Sequence, residues 1–307
     1  MMIYALRYNS FVFKITMPKN SFVIFKYLII ICLAGAVANI VLEIDKFMIA
    51  QYLDISKVAY YSVAIYISTL ITVPRRSLFQ IANPLSAKLL NEKKFTELNV
   101  LYKKSSLNLL IVCGFVFLLI VYNLNDIYAF IPENYKQGYY VVLIISFTKI
   151  YNAFLGNVDG IIFNSIFYDK IVFIGVLLTI ATIYLNYLLI PLYGMEGAAI
   201  SSFIAICLYN SIKIYLVYLK FNLHPLTKNS YKIAIIILLG FIISFYFNLD
   251  FSLYTNIFIQ TFFVIIAYVF MVIYFKISVD INNIYTKYIF KLKNLANTKK
   301  WFCKVSN

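Results

Sequence analysis

FSLYTNIFIQTFFVIIAYVFMVIYF, residues 251–275, runs for 25 positions without a charged side chain. Wound into an α-helix, a run of that length extends about 37 Å, enough to cross a hydrocarbon layer about 30 Å thick. Inside such a layer no water satisfies the peptide groups, so a spanning chain is either helical or part of a closed barrel. The run lacks the alternation of a barrel strand, which leaves the helix. Working outward, similar apolar runs occupy residues 22–42, 58–87, 107–122, 139–163, 171–193, 194–219 and 233–249. The expectation is an all-α, polytopic membrane helix bundle of about eight transmembrane helices. Its transmembrane domain covers residues 21–276, between a cytoplasmic segment, 1–20, and a basic cytoplasmic tail, 277–307.

Composition points the same way. Of the 307 residues, 63% are hydrophobic and 13% charged, where a soluble domain is roughly half apolar and a quarter charged. Arg7, Lys14 and Lys19 precede the first run with neither a short apolar core nor a cleavage signature, so no removable signal peptide is expected. Lysine and arginine are held on the cytoplasmic side during insertion. With the N-terminus inside, 24 of the 27 basic residues fall on inner segments, and 7 of the 12 acidic ones fall outside. Both termini are then cytoplasmic. The net charge of +15 is spread over juxtamembrane loops and the tail with no nucleic-acid motif, which indicates anionic membrane lipids as partners and not nucleic acid.

The four cysteines have no paired or metal-like spacing, and the single histidine is His224, in an inner loop before Pro225. A histidine-based catalytic or zinc constellation is therefore not expected, nor is a cofactor, because no glycine-rich phosphate loop occurs. The chain does not read as an enzyme.

Polar residues inside the runs carry the functional signal, because an ionisable group in a membrane helix costs about 2.5–3.5 kcal/mol and persists where it faces protein or a wet cavity. Ser62, Thr69, Thr72, Arg76 and Asn83 are spaced 7, 3, 4 and 7 along the second run, on one helical face. Pro74 is expected to kink that helix just before Arg75 and Arg76. The chain has 24 lysines and only three arginines, two of them here. The flat guanidinium fork holds phosphate or carboxylate in a way lysine cannot, so the pair reads as an anion clamp, against the plainer reading of an interfacial helix anchor.

In the fourth run Lys149, Asn152, Gly156 and Asp159 form a second stripe, at steps of 3, 4 and 3. Lys149 lies about 15 Å along its helix, near the midplane. It suits an anionic headgroup, a change of protonation, or a structural pair with a carboxylate. Thr72, Asn83, Arg75, Arg76, Lys149 and Asn152 are the expected substrate-binding residues. Asn39, Glu43 and Lys46, with Asp45 beside them, mark the outer end of the first run; with Asp159 they are candidates for lining a cavity or coupling transport to an ion. Pro191, Gly194, Gly197, Ala198 and Ala199 read as a tight turn followed by a closely packed helix start.

Four segments carry a family resemblance: EIDKFMIA (43–50), VAYYSVAIYISTLITVPRRSLFQIANPLSAKLL (58–90), IPENY (131–135) and LIPLYGMEGAAI (189–200). In order and spacing they resemble the polysaccharide flippases of the multidrug/oligosaccharidyl-lipid/polysaccharide exporter superfamily, over about residues 20–230. The resemblance implies the C-terminal lobe of such a flippase, a MATE-like helix bundle in the bacterial cytoplasmic (inner) membrane. The implied activity is flipping of undecaprenyl-diphosphate-linked oligosaccharide during surface polysaccharide biosynthesis, such as that of lipopolysaccharide O-antigen. Arg75 and Arg76 would suit the diphosphate. Typical members carry an N-terminal lobe before the matched part, so a missing lobe or a second copy is an implied partner. Alternatives are a small-solute or drug exporter of the same superfamily and a membrane polysaccharide polymerase.

Overall fold

The computed structural model describes residues 21–247, 251–278 and 282, apart from the side chains of residues 23, 27, 30, 31 and 33–42. The segment 1–20, the tail beyond 282 and the Asn39 side chain lie outside the described residues. Within them the chain is helical, without a strand. In order come α1 (Ser21–Tyr52), α2 (Ile55–Thr69), a 3-10 turn (Leu70–Thr72), α3 (Val73–Asn91), α4 (Phe95–Tyr122), α5 (Leu124–Ala129), a second 3-10 segment (Glu133–Gly138), α6 (Tyr139–Phe154), α7 (Val158–Phe163), α8 (Tyr168–Phe221), α9 (Lys228–Ser244) and α10 (Leu253–Tyr274).

Among the described residues, four helical segments are long and apolar enough to cross a membrane: Ile55–Asn91, Phe95–Tyr122, Tyr168–Phe221 and Leu253–Tyr274. Their outward faces carry large apolar side chains such as Phe173, Tyr184, Phe258 and Phe270. In water such a surface would be an aggregation liability; against acyl chains it is the solvated face. The remaining apolar runs are helical as well. Residues 22–42 lie within α1, 139–163 divide between α6 and α7, and 233–249 fall largely on α9, which is 17 residues long.

Tyr168–Phe221 is 54 residues of helix interrupted at Gly194, whose φ of 61° and ψ of −135° are not helical. That conformation is open to glycine and strained for other residues. The chain reverses there. Asn186 and Ser202, eight residues to either side of Gly194, both reach the carboxylate of Asp45, and at the far end the rings of Phe167 and Phe221 lie 5.9 Å apart. The two runs read at 171–193 and 194–219 are thus the outbound and return legs of one hairpin.

At the centre stands α4, the most enclosed of the four spans, packed by α3, α6, α9 and α10. Phe117 of α4, Phe147 of α6 and Phe241 of α9 form a ring cluster with centroid separations of 4.8–5.8 Å. From α10 the residues Asn256, Gln260, Val264, Tyr268 and Val272, one every four positions, face inward, and the Tyr268 hydroxyl donates to the Ile111 carbonyl at 2.7 Å. A second break separates α6 from α7. Gly156 there has φ +56°, and a Cβ on it would lie 2.6 Å from the Ser106 nitrogen, so α4 and this turn touch backbone to backbone.

Candidate functional site

At the position of the expected kink, α-helix gives way to the 3-10 turn Leu70–Thr72, and α3 restarts with Pro74 in its first turn, where a missing N–H costs nothing. Thr72 stands at the N-cap position of the restart without a side-chain capping bond, its hydroxyl donating back to the Thr69 carbonyl at 2.8 Å. Arg75 and Arg76 consequently leave the first turn of α3, beside the turn break.

They open onto a cavity of about 480 Å³ bounded by α3, α6, α7 and both legs of α8. Thr72, Arg75, Arg76, Lys149, Asn152 and Asp159, six of the residues singled out in the sequence, line it together. The outbound leg supplies an apolar wall that includes Ile171, Val172 and Leu178, while the return leg supplies Tyr209, Asn210 and Lys213.

Among the lining residues is an ion triad. Asp159 accepts from the Arg75 guanidinium at 2.7 Å through Oδ2 and from the Lys213 ammonium at 2.8 Å through Oδ1. Each cation also rests on an aromatic face, Arg75 over Phe79 at 4.6 Å and Lys213 over Tyr209 at 4.3 Å, which adds attraction to the ring. The Arg75 Nε is buried without a hydrogen-bond partner among the described residues. Asn210 donates to Asn152 at 2.6 Å, joining the return leg to α6. Arg76, which is exposed, and the half-buried Lys149 make no ion pair among the described residues. With four cationic groups and one carboxylate, the cavity carries a formal excess of three positive charges. In a low-dielectric surrounding such an arrangement binds anions.

Asn83 is not in the cavity lining. It sits seven residues beyond Arg76, about 10 Å further along α3, where α3 packs on α7 and its Oδ1 lies against Gly160. The group at the end of α1 divides. Glu43 and Lys46 pair with each other at 3.0 Å near the surface. Asp45 is buried, 2% exposed, and its partners are neutral donors: Tyr61 at 2.8 Å, Asn186 at 2.7 Å and Ser202 at 2.5 Å. It ties α1 and α2 to both legs of the hairpin, about 16 Å along the return leg from Lys213. None of these three residues lines the cavity.

Lys213, Tyr209 and Asn210 were missed in the sequence. Lys213 reads there as an inner-loop lysine because it stands at the end of an apolar run. The usable signal is the spacing of Tyr209, Asn210 and Lys213, which sets all three on one helical face within that run. Compared with family models, curated proteins and solved structures, the chain matches none of them.

Proposed function

We propose that this protein moves a lipid-linked oligosaccharide of the undecaprenyl-diphosphate class across the bacterial cytoplasmic membrane. In this reading it acts as the C-terminal lobe of a flippase or as half of an assembled one, with about eight spans and both termini cytoplasmic. The observation that carries the reading is the convergence of Arg75, Arg76, Lys149 and Lys213, with one carboxylate among them, on a single cavity walled on one side by apolar residues. A diphosphate linked to an apolar chain has the matching chemistry. The same charge excess weighs against an exporter of hydrophobic cations.

Asp45 is assigned the coupling role. A buried carboxylate held by neutral donors can take up a proton or a monovalent cation, and the hydrogen bonds that Asp45 of α1 accepts from both hairpin legs link that event to α8.

The test is complementation of surface-polysaccharide export in a strain lacking the gene. Arg76→Ala and Lys149→Ala are each expected to lower export by about 10–100-fold, the equivalent of one charge-assisted hydrogen bond, at unchanged protein level in the membrane. Lipid-linked repeat units should accumulate on the cytoplasmic side. Normal surface polysaccharide in the deletion strain, or full export by both variants, refutes the reading. Binding of a lipid diphosphate against binding of a lipophilic cation by the purified protein separates it from the small-solute alternative.

A further inference from the structure

The Asp159 triad bridges elements that otherwise have little hold on one another. Arg75 stands on α3 and Lys213 on the return leg of α8; the two helices pack on α7 and not extensively against each other, with the cavity between them. Asp159 gives one oxygen to each cation, Oδ2 to Arg75 and Oδ1 to Lys213. Its helix, α7, is six residues long, set off from α6 by the Gly156 break and followed by a short non-helical stretch before α8.

Three further features describe what this bridge can do. The cations are supported without the carboxylate, because Phe79 and Tyr209 lie beneath them. The guanidinium fork of Arg75 is only partly used, since its buried Nε has no partner among the described residues. Arg76 and Lys149 line the same cavity without an ion pair among those residues, so an arriving anion is drawn in before it meets the triad.

The geometry points to Asp159 as a displaceable latch: its carboxylate fastens Arg75 of α3 to Lys213 of α8 in the absence of cargo, and a larger anionic group of the cargo displaces it and holds the two cations further apart, moving the return leg away from α3. The inference rests on the reading of the cavity as an anion site and adds the device that tells the helices the site is filled. A ligand shifts a conformational balance only through different affinity for the two states. Here the difference arises because the latched state offers the anion two cations that are already neutralised, whereas the released state offers them free. Wild-type affinity is accordingly lowered by the fraction of time the latch is closed.

The experiment uses the full chain, with its cysteines replaced, reconstituted in lipid nanodiscs. Spin labels are placed at Gln80 on α3 and Tyr215 on the return leg, both exposed positions. Inorganic pyrophosphate is the probe, and its binding is measured separately by equilibrium dialysis. In the wild type, saturating pyrophosphate is expected to move the label-to-label distance outward by ~2 Å or more, the scale of a helix shift. Asp159→Asn should show the longer distance without pyrophosphate and bind the probe about tenfold more tightly.

Removing the carboxylate alone leaves the cations uncompensated and can impair folding. The double variant Asp159→Asn/Lys213→Gln keeps the wild-type net charge of the cavity and also lacks the latch, so it too should show the longer distance without probe. An unchanged distance in the folded double variant overturns the latch. An unchanged distance in the wild type with pyrophosphate measurably bound also overturns it, while sparing the anion site. Absence of pyrophosphate binding to every form removes the anion reading and the latch with it.

Discussion

Replacing Gly156 by alanine should loosen the junction between α6 and α7 measurably, and the size of the effect follows from two separate sources. At φ +56° the added Cβ costs about 1–2 kcal/mol through left-handed backbone strain. It would also lie 2.6 Å from the Ser106 nitrogen and 2.8 Å from its Cα. Those atoms belong to the α4 backbone and cannot swing aside, so overpacking adds about 1–3 kcal/mol. The sum, about 2–5 kcal/mol, corresponds to a fall in Tm on the order of 3–8 °C for a chain of this size. Cys113 provides the reporter: it is 0% exposed, two turns from Ser106 on α4, and a thiol-reactive dye reaches it on unfolding once the other cysteines are replaced. The control is Ser105→Gly, which removes the hydroxyl 2.9 Å from the same Cβ position and leaves the backbone overlap intact. A Tm within ~1 °C of wild type, or rescue of Gly156→Ala by Ser105→Gly, refutes the reasoning. Because Lys149 and Asp159 lie on opposite sides of this turn, the variant should also weaken pyrophosphate binding where it remains folded.

Gly194→Ala isolates backbone strain, because the nearest atom to its Cβ is a Leu53 methyl at 3.9 Å; a loss of about 1–3 kcal/mol is expected, read by the same thiol assay, and an unchanged Tm sinks the assignment of a glycine-only turn. Asp45→Asn should stay folded with stability within ~1 kcal/mol of wild type while export is lost. The new amide can give its oxygen to Tyr61 and Ser202 and its nitrogen to the Asn186 Oδ1, which has no partner among the described residues. Asp45→Leu instead strands three donors at about 1–3 kcal/mol each, so it should fail to accumulate or unfold early. Equal stability of the two variants would show that the three donors do not depend on a polar partner at this position.

Helical phase made much of the cavity legible. Lys149, Asn152 and Asp159 stay on one face even across the Gly156 break, and Thr72 with Arg76 points to the same space. Phase favoured Arg76, which lies on the stripe that began at Ser62, over Arg75, which does not. Three residues of 3-10 helix, each turning about 120° instead of 100°, rotate everything after Thr72 by about 60° relative to the stripe that began at Ser62. The residue that enters the triad is therefore Arg75, while Arg76 lies at the exposed side of the cavity. Asn83 shows a different limit: it keeps the phase of Arg76, seven residues before it, but depth along α3 carries it past the cavity to the α7 packing surface, and sequence spacing contains no information on where a neighbouring helix closes a gap. The pairing of Asp45 with Asn186 and Ser202, 141 and 157 residues away, is likewise a product of the hairpin reversal and of no local pattern.

The triad is also ordered in time. Arg75 precedes Asp159 by 84 residues, and Asp159 precedes Lys213 by 54. A ribosome thus delivers cation, anion, cation in turn, and the most enclosed side chain of the three, Lys213, reaches the bilayer when its counter-charge has already been made. Lateral release of the return leg from the insertion machinery then carries a partnered ammonium and not a bare one, which lightens a step that otherwise costs about 2.5–3.5 kcal/mol. Vectorial synthesis, N-terminus first, is built into how this charge enters oil.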